Sequence, residues 1–162
     1  MGHYRHLTAS VFVFSKQQGQ WRIALIKHKK LKKWMIPGGH VESFENPEET
    51  ARREVREELG IDIKLFSFKD KDSFTGNYSD ARVIRLPELM VEELIPKSGS
   101  EPEHIHIDCL YLGISDQLNF ASLEFDDNSL KWCSQEELGS LDMFSLTREL
   151  SLNYLEKLKL LY

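Results

Sequence analysis

Three glutamates, Glu54, Glu57 and Glu58, lie within the eight-residue segment REVREELG. Spacings of three and four residues place their carboxylates on one side of a helix, where like charges repel by about a few tenths of a kcal/mol per pair. Such a cluster either stays in solvent or binds a cation. Mg²⁺ prefers oxygen ligands and takes one or two carboxylates, with water and phosphate oxygens completing its shell. The spacing therefore indicates a divalent-metal site, and a solvated acidic helix face is the alternative.

Residues beside the cluster fit the same interpretation. Arg53 is adjacent to the acids and within reach of Glu45 in the preceding loop, so a contact between them would fix that loop to the helix. Gly38 and Gly39 permit unusual backbone angles and close approach, so a backbone carbonyl of this pair could face a metal ion. Singly, two glycines indicate a turn and one glutamate indicates ordinary surface; together they are more specific.

A helix over residues 47–59 is predicted to carry these groups. Asn46 is a good N-cap, Pro47 suits the first helical position, and Glu49 completes a capping box. Gly60 suits the C-terminal end of the helix. At about 100° per residue, one side of the helix is apolar and should pack against a sheet. The residues of this apolar side are Ala51, Val55 and Leu59.

The remaining chain is mainly extended and then helical. A short strand is predicted from Trp34, ended by Pro37 and the glycines. Further strands are predicted over residues 7–15, 21–28, 61–68, 81–94, 105–114 and 129–134. Ser134 is expected to cap a short helix through Leu138, and leucines at helical spacing predict a terminal helix over 145–161. This order predicts an α/β fold with a mixed sheet and helices packed on it.

Bulk properties limit the class of protein. The chain of 162 residues, 41% hydrophobic and 29% charged, is expected to form a single globular domain over 1–162. Its net charge of -5 argues against a stable nucleic-acid partner. No apolar run is long enough to cross a membrane and the N-terminus has no leader pattern, so a cytoplasmic location is expected. Cys109 and Cys133 are expected to be buried, reduced thiols.

The stretch from Gly39 to Ile61 resembles the signature of the Nudix (MutT-like) hydrolases. That signature is Gly, five residues, Glu, seven residues, Arg-Glu, an aliphatic residue, any residue, Glu-Glu, any residue, Gly and an aliphatic residue. Every fixed position is matched, by Gly39, Glu45, Arg53, Glu54, Val55, Glu57, Glu58, Gly60 and Ile61. Many members carry glycine where this chain has Phe44, a difference that bears on the geometry of the loop.

The resemblance implies a Nudix-type α/β/α sandwich with a box loop–helix–loop and a C-terminal helix. It also implies that Mg²⁺ or Mn²⁺ supports attack of water on a pyrophosphate bond. The substrate would be a nucleoside diphosphate joined to another moiety, of the nucleotide, nucleotide sugar or dinucleotide type. A nucleotide-binding regulatory module without turnover is the alternative, although the intact acids favour an enzyme. Many relatives are dimers, so a homodimer is compatible with the resemblance.

The resemblance assigns roles to individual residues. The expected metal ligands are Glu54, Glu57, Glu58 and the carbonyl of Gly38. The expected catalytic set is Glu54, Glu57, Arg53 and Glu45, in which Arg53 and Glu45 support the site structurally. Glu54 is one candidate for the general base, and the others lie in the loop before residue 105: Glu101, Glu103 and His104.

Three further patterns stay open. His104, His106 and Asp108 alternate along a strand, and would either bind a transition metal or form a polar face along the substrate cleft or the solvent. The basic run over 27–33 is either a solvated connection or an attractor of polyphosphate. Either core packing or base stacking could be the role of six aromatic residues: Tyr4, Trp21, Trp34, Phe74, Tyr78 and Trp132. The position of Tyr78 resembles that of a tyrosine in dinucleoside polyphosphate hydrolases.

Overall fold

The computed structural model describes residues 4–69 and 78–161, which contain eight strands and three helices. The strands are β1 (Arg5–Gln17), β2 (Gln20–Lys27), β3 (Trp34–Met35), β4 (Gly38–His40), β5 (Lys64–Phe66), β6 (Leu89–Ile95), β7 (His104–Ile114) and β8 (Leu130–Cys133). The helices are α1 (Pro47–Leu59), α2 (Gln135–Leu138) and α3 (Ser145–Leu161).

All of these strands belong to one mixed sheet. Its main order is β3-β2-β1-β7-β5, while β4 pairs with β1, β6 with β7 and β8 with β2. The two long strands β1 and β7 run parallel, from the pair Arg5 and Ile105 to the pair Phe14 and Ile114, and the other pairings are antiparallel. Gln18 and Gly19 have positive φ angles, as a two-residue hairpin between β1 and β2 requires.

Helices cover both faces of the sheet. Because side chains alternate along a strand, Ala9, Val11 and Val13 of β1 pack in one core with α1. Phe12 and Phe14 of the same strand pack in a second core with α3 on the opposite face. The arrangement is the predicted α/β/α sandwich. All three predicted helices are present: α1 and α3 have the predicted bounds, and Ser134 caps the short helix α2, which ends at Leu138.

Several predicted strand boundaries were wrong. The segment 81–94 is a strand only from Leu89 onward. Its earlier part is held by contacts to the first turn of α1 instead: the Arg82 guanidinium donates to Glu49, and the Arg85 amide donates to Glu48. The predicted strand over 61–68 shrinks to the three residues of β5.

The segment around the two glycines also differs from its prediction. Trp34 and Met35 form β3, and Gly38 and Gly39 do not end a strand but begin β4, which pairs with β1. Pro37 lies between the two strands, where the chain changes its pairing partner from β2 to β1. The glycines are therefore part of the sheet directly beneath the acidic residues of α1.

Both cysteines, Cys109 and Cys133, are buried free thiols, as predicted. Within residues 4–69 and 78–161, no helix is both long and apolar enough for a bilayer crossing.

Candidate functional site

Helix α1 has the ends that its sequence predicts. The Asn46 side chain accepts hydrogen bonds from the amides of Glu48 and Glu49, and the Glu49 carboxylate accepts one from the Asn46 amide. Gly60 adopts a φ of 69° at the C-terminal end. The predicted apolar side is completely buried against the sheet, by Ala51, Val55 and Leu59. Burial of this side fixes the rotation of the helix and so the direction of its carboxylates.

The predicted carboxylates lie at the edge of that buried side. Glu54 is 9% exposed and Glu58 is 7% exposed, whereas Glu57 is half-buried. The Arg53 guanidinium joins two of them, since its Nη1 donates to Glu54 Oε1 at 2.7 Å and to Glu57 Oε2 at 2.8 Å. The carboxylates are therefore held together by one shared cation and are not spread over a solvated face.

Arg53 also reaches the preceding loop, as predicted. Its Nε donates to Glu45 Oε1 at 2.8 Å and its Nη2 to Glu45 Oε2 at 3.1 Å, which is the two-pronged geometry that arginine forms with carboxylates. Glu45 accepts a third hydrogen bond from the Thr50 hydroxyl, and Arg53 Nη2 also donates to the carbonyl of His40. These contacts fix the loop and β4 to the helix.

The paired glycines lie against the two most buried carboxylates of this cluster, Glu54 and Glu58. The Gly38 amide donates to Glu58 Oε2 at 2.9 Å. A Cβ at Gly39 would lie 2.2 Å from Glu54 Oε1, so position 39 has no room for a side chain while Glu54 keeps its place. Glycine at 39 is thus required for the close approach of β4 to α1.

Burial changes the acidity of this cluster. Desolvation raises the pKa of Glu58 to about 8, although the Gly38 amide favours its charged form. Desolvation also raises the pKa of Glu54, against the opposing effect of Arg53. Hydrogen bonds from Arg53 lower the pKa of Glu45, which stays a charged support for the guanidinium. At neutral pH the cluster therefore favours a bound proton on Glu58 or a cation beside it.

These residues fit a hard divalent cation. The donor atoms are carboxylate oxygens, which Mg²⁺ and Mn²⁺ prefer. Glu54 and Glu58 are buried, so bulk water solvates their negative charge poorly and a bound cation would stabilise it. The side-chain-free strand at Gly38 and Gly39 lies directly against the same two carboxylates. A divalent ion would remove the electrostatic cost that raises the pKa of Glu58.

One carboxylate near the site was not predicted. Glu124 belongs to the segment after β7 and acts electrostatically on both Glu54 and Glu58, raising the pKa of each. The segment is anchored on the last turn of α1, where the Ala121 amide donates to the Leu59 carbonyl at 3.0 Å. Leu123 and Ser122 make equivalent bonds to the Glu57 carbonyl. One general signal could have indicated this contact. The last carbonyls of a helix have no partner within the helix, so a loop is expected to donate hydrogen bonds to them.

Gly60 has a second role in this arrangement. Besides its left-handed backbone, a Cβ there would lie 2.0 Å from the Ala121 backbone. The glycine at the end of α1 thus admits the segment that brings Glu124 to the site.

The other predicted base candidates lie elsewhere. His104 is buried beside the carboxylate of Glu101, with 3.7 Å between His104 Nε2 and Glu101 Oε1, and Glu103 is exposed in the same loop. The strand register places His104 and His106 on the α3 face of the sheet, opposite to α1. Asp108 shares their face, but it accepts hydrogen bonds from the hydroxyls of Thr8 and Ser10.

The aromatic residues whose role the sequence left open lie in different environments. Trp21 is in the core, Trp132 stacks on Phe120 with ring centres 5.2 Å apart, and Tyr4 and Tyr78 are exposed. Phe74 lies outside the described residues.

The basic run does not form one continuous patch. Lys29 donates to the Glu124 carbonyl at 2.6 Å, near the carboxylate cluster, whereas Lys33 forms an ion pair with Asp142. Of these two lysines, Lys29 is the one placed beside the candidate site.

Comparison with known proteins matches the chain to one family. The family model for the NUDIX domain covers residues 4–151. A probable DHNTP pyrophosphohydrolase from Lactococcus lactis is 32% identical over 106 residues, which are 65% of this chain and 52% of that protein. The chain thus spans about half the length of this relative. The nucleoside triphosphatase NudI from Klebsiella pneumoniae is 32% identical over 120 residues, 71% of each chain.

A solved structure supports the same family assignment. The crystal structure of a NUDIX-family hydrolase from Clostridium perfringens superposes with a TM-score of 0.74 and 27% identity, covering 95% of this chain and 98% of that one.

Proposed function

The chain belongs to the NUDIX family, and from this membership we propose that it hydrolyses a pyrophosphate bond in a nucleotide-type substrate with a divalent metal ion. The observation that carries the proposal is the set of buried carboxylates held around Arg53 next to a side-chain-free strand. Two relatives are named as a pyrophosphohydrolase and a nucleoside triphosphatase, so triphosphates are the first substrates to test.

Glu54, Glu57 and Glu58, with the carbonyl of Gly38, would hold Mg²⁺ or Mn²⁺, which supplies neutralisation of phosphate charge and a more acidic water. The protein fixes these groups through Arg53, whose own position is set by the carboxylate of Glu45. Because these contacts exist before substrate arrives, little reorganisation is needed during the reaction.

The chemical step is displacement at phosphorus. The oxygen of a water molecule forms a bond to phosphorus, the bridging P–O bond breaks, and the bridging oxygen leaves with the second phosphate. We assign Glu54 as the general base that takes the proton from this water. Arg53 holds the carboxylate in place through Oε1, and the raised pKa makes this carboxylate a stronger base. Glu124 is the second candidate, because its segment places it near Glu54 and Glu58.

The test is a substrate panel with paired variants. Nucleoside triphosphates, nucleotide sugars, ADP-ribose and dinucleoside polyphosphates are incubated with Mg²⁺ or Mn²⁺, and release of phosphate and pyrophosphate is measured. Glu54→Gln and Glu58→Gln should each lower kcat by about 10²- to 10⁴-fold on the preferred substrate. Glu48→Gln is the matched control, because Glu48 lies on the same helix but contacts Arg52.

Near-normal turnover in both site variants would refute the assignment. Tight nucleotide binding by the wild type without turnover of any substrate would instead support a regulatory module. The same panel run on Glu124→Gln separates the two base candidates, since loss of the true base removes the acidic limb of the pH–rate profile.

We further place the enzyme in the cytoplasm, which suits its buried free cysteines. A homodimer stays a prediction that sedimentation of the purified protein would test.

A further inference from the structure

Four imidazoles meet on the α3 face of the sheet, away from the carboxylate site. They are His6 of β1, His40 of β4, and His104 and His106 of β7, and one ring nitrogen from each lies within 4.8 Å of the others. We call this group the histidine cluster. Only His104 is fully buried, while His40 is exposed, so the cluster opens to solvent on one side.

The strand pairing produces this convergence. His6 stands directly beside His106 in the parallel β1–β7 ladder, and His40 stands beside Thr8, the next residue of β1 on the same face. His104 precedes His106 by two residues and shares its face. Three neighbouring strands therefore aim four imidazoles at one volume.

The nitrogen distances approach those of a metal site. His104 Nε2 and His106 Nε2 are 3.0 Å apart, and His6 Nδ1 and His40 Nε2 are 3.2 Å apart. A tetrahedral ion with Zn–N bonds of about 2.0–2.1 Å spaces its ligand atoms about 3.3–3.4 Å apart. Small ring rotations would bring the more distant pairs of the cluster to this separation.

The surroundings of His104 are typical of a metal ligand. Its Nδ1 lies 2.9 Å from the Pro102 carbonyl, which can only accept a hydrogen bond, so Nδ1 carries the hydrogen. In the neutral ring this leaves a lone pair on Nε2, which points to the other imidazoles. A backbone carbonyl that fixes the tautomer in this way is a usual partner of metal-bound histidine.

The charge state agrees with this geometry. Burial and the neighbouring imidazoles lower the pKa of His106 to about 4, and burial with His6 also lowers the pKa of His40. Neutral imidazole is the form that binds metal. The carboxylate of Glu101, beside His104, supplies negative charge near a bound dication.

We infer that the histidine cluster is a second metal site, which binds a first-row transition-metal dication of the Zn²⁺ type through His6, His40, His104 and His106. All-imidazole ligands suit Zn²⁺, Cu²⁺ or Ni²⁺ rather than Mg²⁺. The site is separate from the carboxylates of α1, because the two groups lie on opposite faces of the sheet. Asp108 is not a member, since Thr8 and Ser10 occupy its carboxylate oxygens.

The experiment measures zinc bound by the metal-stripped full chain in excess Mg²⁺, which saturates the oxygen ligands. Bound zinc is followed by competition with a chromophoric chelator. We expect one Zn²⁺ per chain in the wild type and in His28→Ala, the matched control, whose histidine lies outside the cluster. In His6→Ala/His106→Ala the Kd for Zn²⁺ should rise at least about 100-fold.

The carboxylate double variant Glu54→Gln/Glu58→Gln should keep its zinc. Loss of zinc in that variant with retention in His6→Ala/His106→Ala would overturn the inference, as would a wild type that binds no zinc. His106→Gln serves if the double variant does not fold.

A second measurement needs no variant. Co²⁺ bound to four imidazoles in the wild type should give the intense visible absorption of a tetrahedral site. A weak octahedral spectrum at one equivalent of Co²⁺ would also contradict the inference.

Discussion

The carboxylate site and the histidine cluster contact the same short strand, β4, from opposite faces of the sheet. Gly39 faces Glu54 on the α1 side, while the imidazole of His40 lies with those of His6 and His106 on the other. The first site offers charged oxygens from one helix, and the second offers neutral nitrogens from three strands. Helical spacing alone places the first set, whereas strand pairing between distant residues places the second. Neighbouring sites can thus differ in both metal preference and sequence origin.

The largest expected effect on hydrolysis comes from metal removal. It separates the two sites because oxygen ligands prefer Mg²⁺ and imidazole ligands prefer Zn²⁺. Stripping all metal should lower hydrolysis at least about 10³-fold, and Mg²⁺ alone should restore it, because the reaction depends on the oxygen ligands. One equivalent of Zn²⁺ without Mg²⁺ should fill the histidine cluster and leave hydrolysis low. Initial rates on the preferred substrate provide the measurement.

His6→Ala/His106→Ala is the matched control for this experiment and should respond to Mg²⁺ as the wild type does. Failure of Mg²⁺ to restore that variant, or recovery with one equivalent of Zn²⁺, would show that the histidines take part in hydrolysis.

A methyl group at position 39 tests the α1 side of β4 alone. In Gly39→Ala the new Cβ would meet Glu54 Oε1 at 2.2 Å, and the flexible end of that side chain would move aside. We expect kcat to fall about 10- to 100-fold, since a displacement of about 1 Å at a reacting group has this cost. The urea midpoint should change little, and zinc binding should equal that of the wild type. An unchanged kcat would mean that the position of Glu54 is not critical.

The smallest effect concerns stability, and it tests the burial of Glu58. Its pKa in the folded protein is about 8, above the ordinary value of 4.5, so the folded state binds more protons than the unfolded state between these values. Stability from this group is therefore present at low pH and is lost as pH rises toward 8. Glu58→Gln, which carries no charge, should be about 1–3 kcal/mol more stable than the wild type at pH 8 without metal.

Urea unfolding in EDTA at pH 5, 6.5 and 8 measures this difference, with Glu48→Gln as the control. The gap should close at pH 5, where Glu58 is protonated in the folded protein. It should also narrow at pH 8 when Mg²⁺ is added, because only the wild type gains from the ion. A gap that is independent of pH would contradict the raised pKa.

The sequence was sufficient wherever the determining contacts are local. Asn46, Glu49 and Gly60 specify the ends of α1, and the apolar side of the helix specifies its rotation, so the carboxylates and the bond from Arg53 to Glu45 were predictable. Residues 81–88 misled the prediction, because their apolar side chains favour a strand but stay exposed: Val83, Ile84 and Leu86. The guanidinium of Arg82 and the amide of Arg85 bind the start of α1 instead.

The parts that were not predictable depend on contacts across long stretches of chain. Alternation suggested that His104 and His106 share a face, but nothing local joins them to His6 and His40. Alternation also grouped Asp108 with them, and only the pairing with β1 shows that Thr8 and Ser10 hold it. Glu124 was missed for the same reason.

The parallel ladder between β1 and β7 joins residues that are 100 positions apart, as in the pair Arg5 and Ile105. Closing so long a loop consumes chain entropy before the ladder forms, which slows folding. His104 and His106 lie on β7, so the histidine cluster is incomplete until this strand docks. Glu124 follows β7, so it reaches the carboxylate site only after the same event. During synthesis, α1 is made long before that event. Metal ions are thus expected to stabilise a late stage of folding, after the sheet has closed, and not to nucleate it.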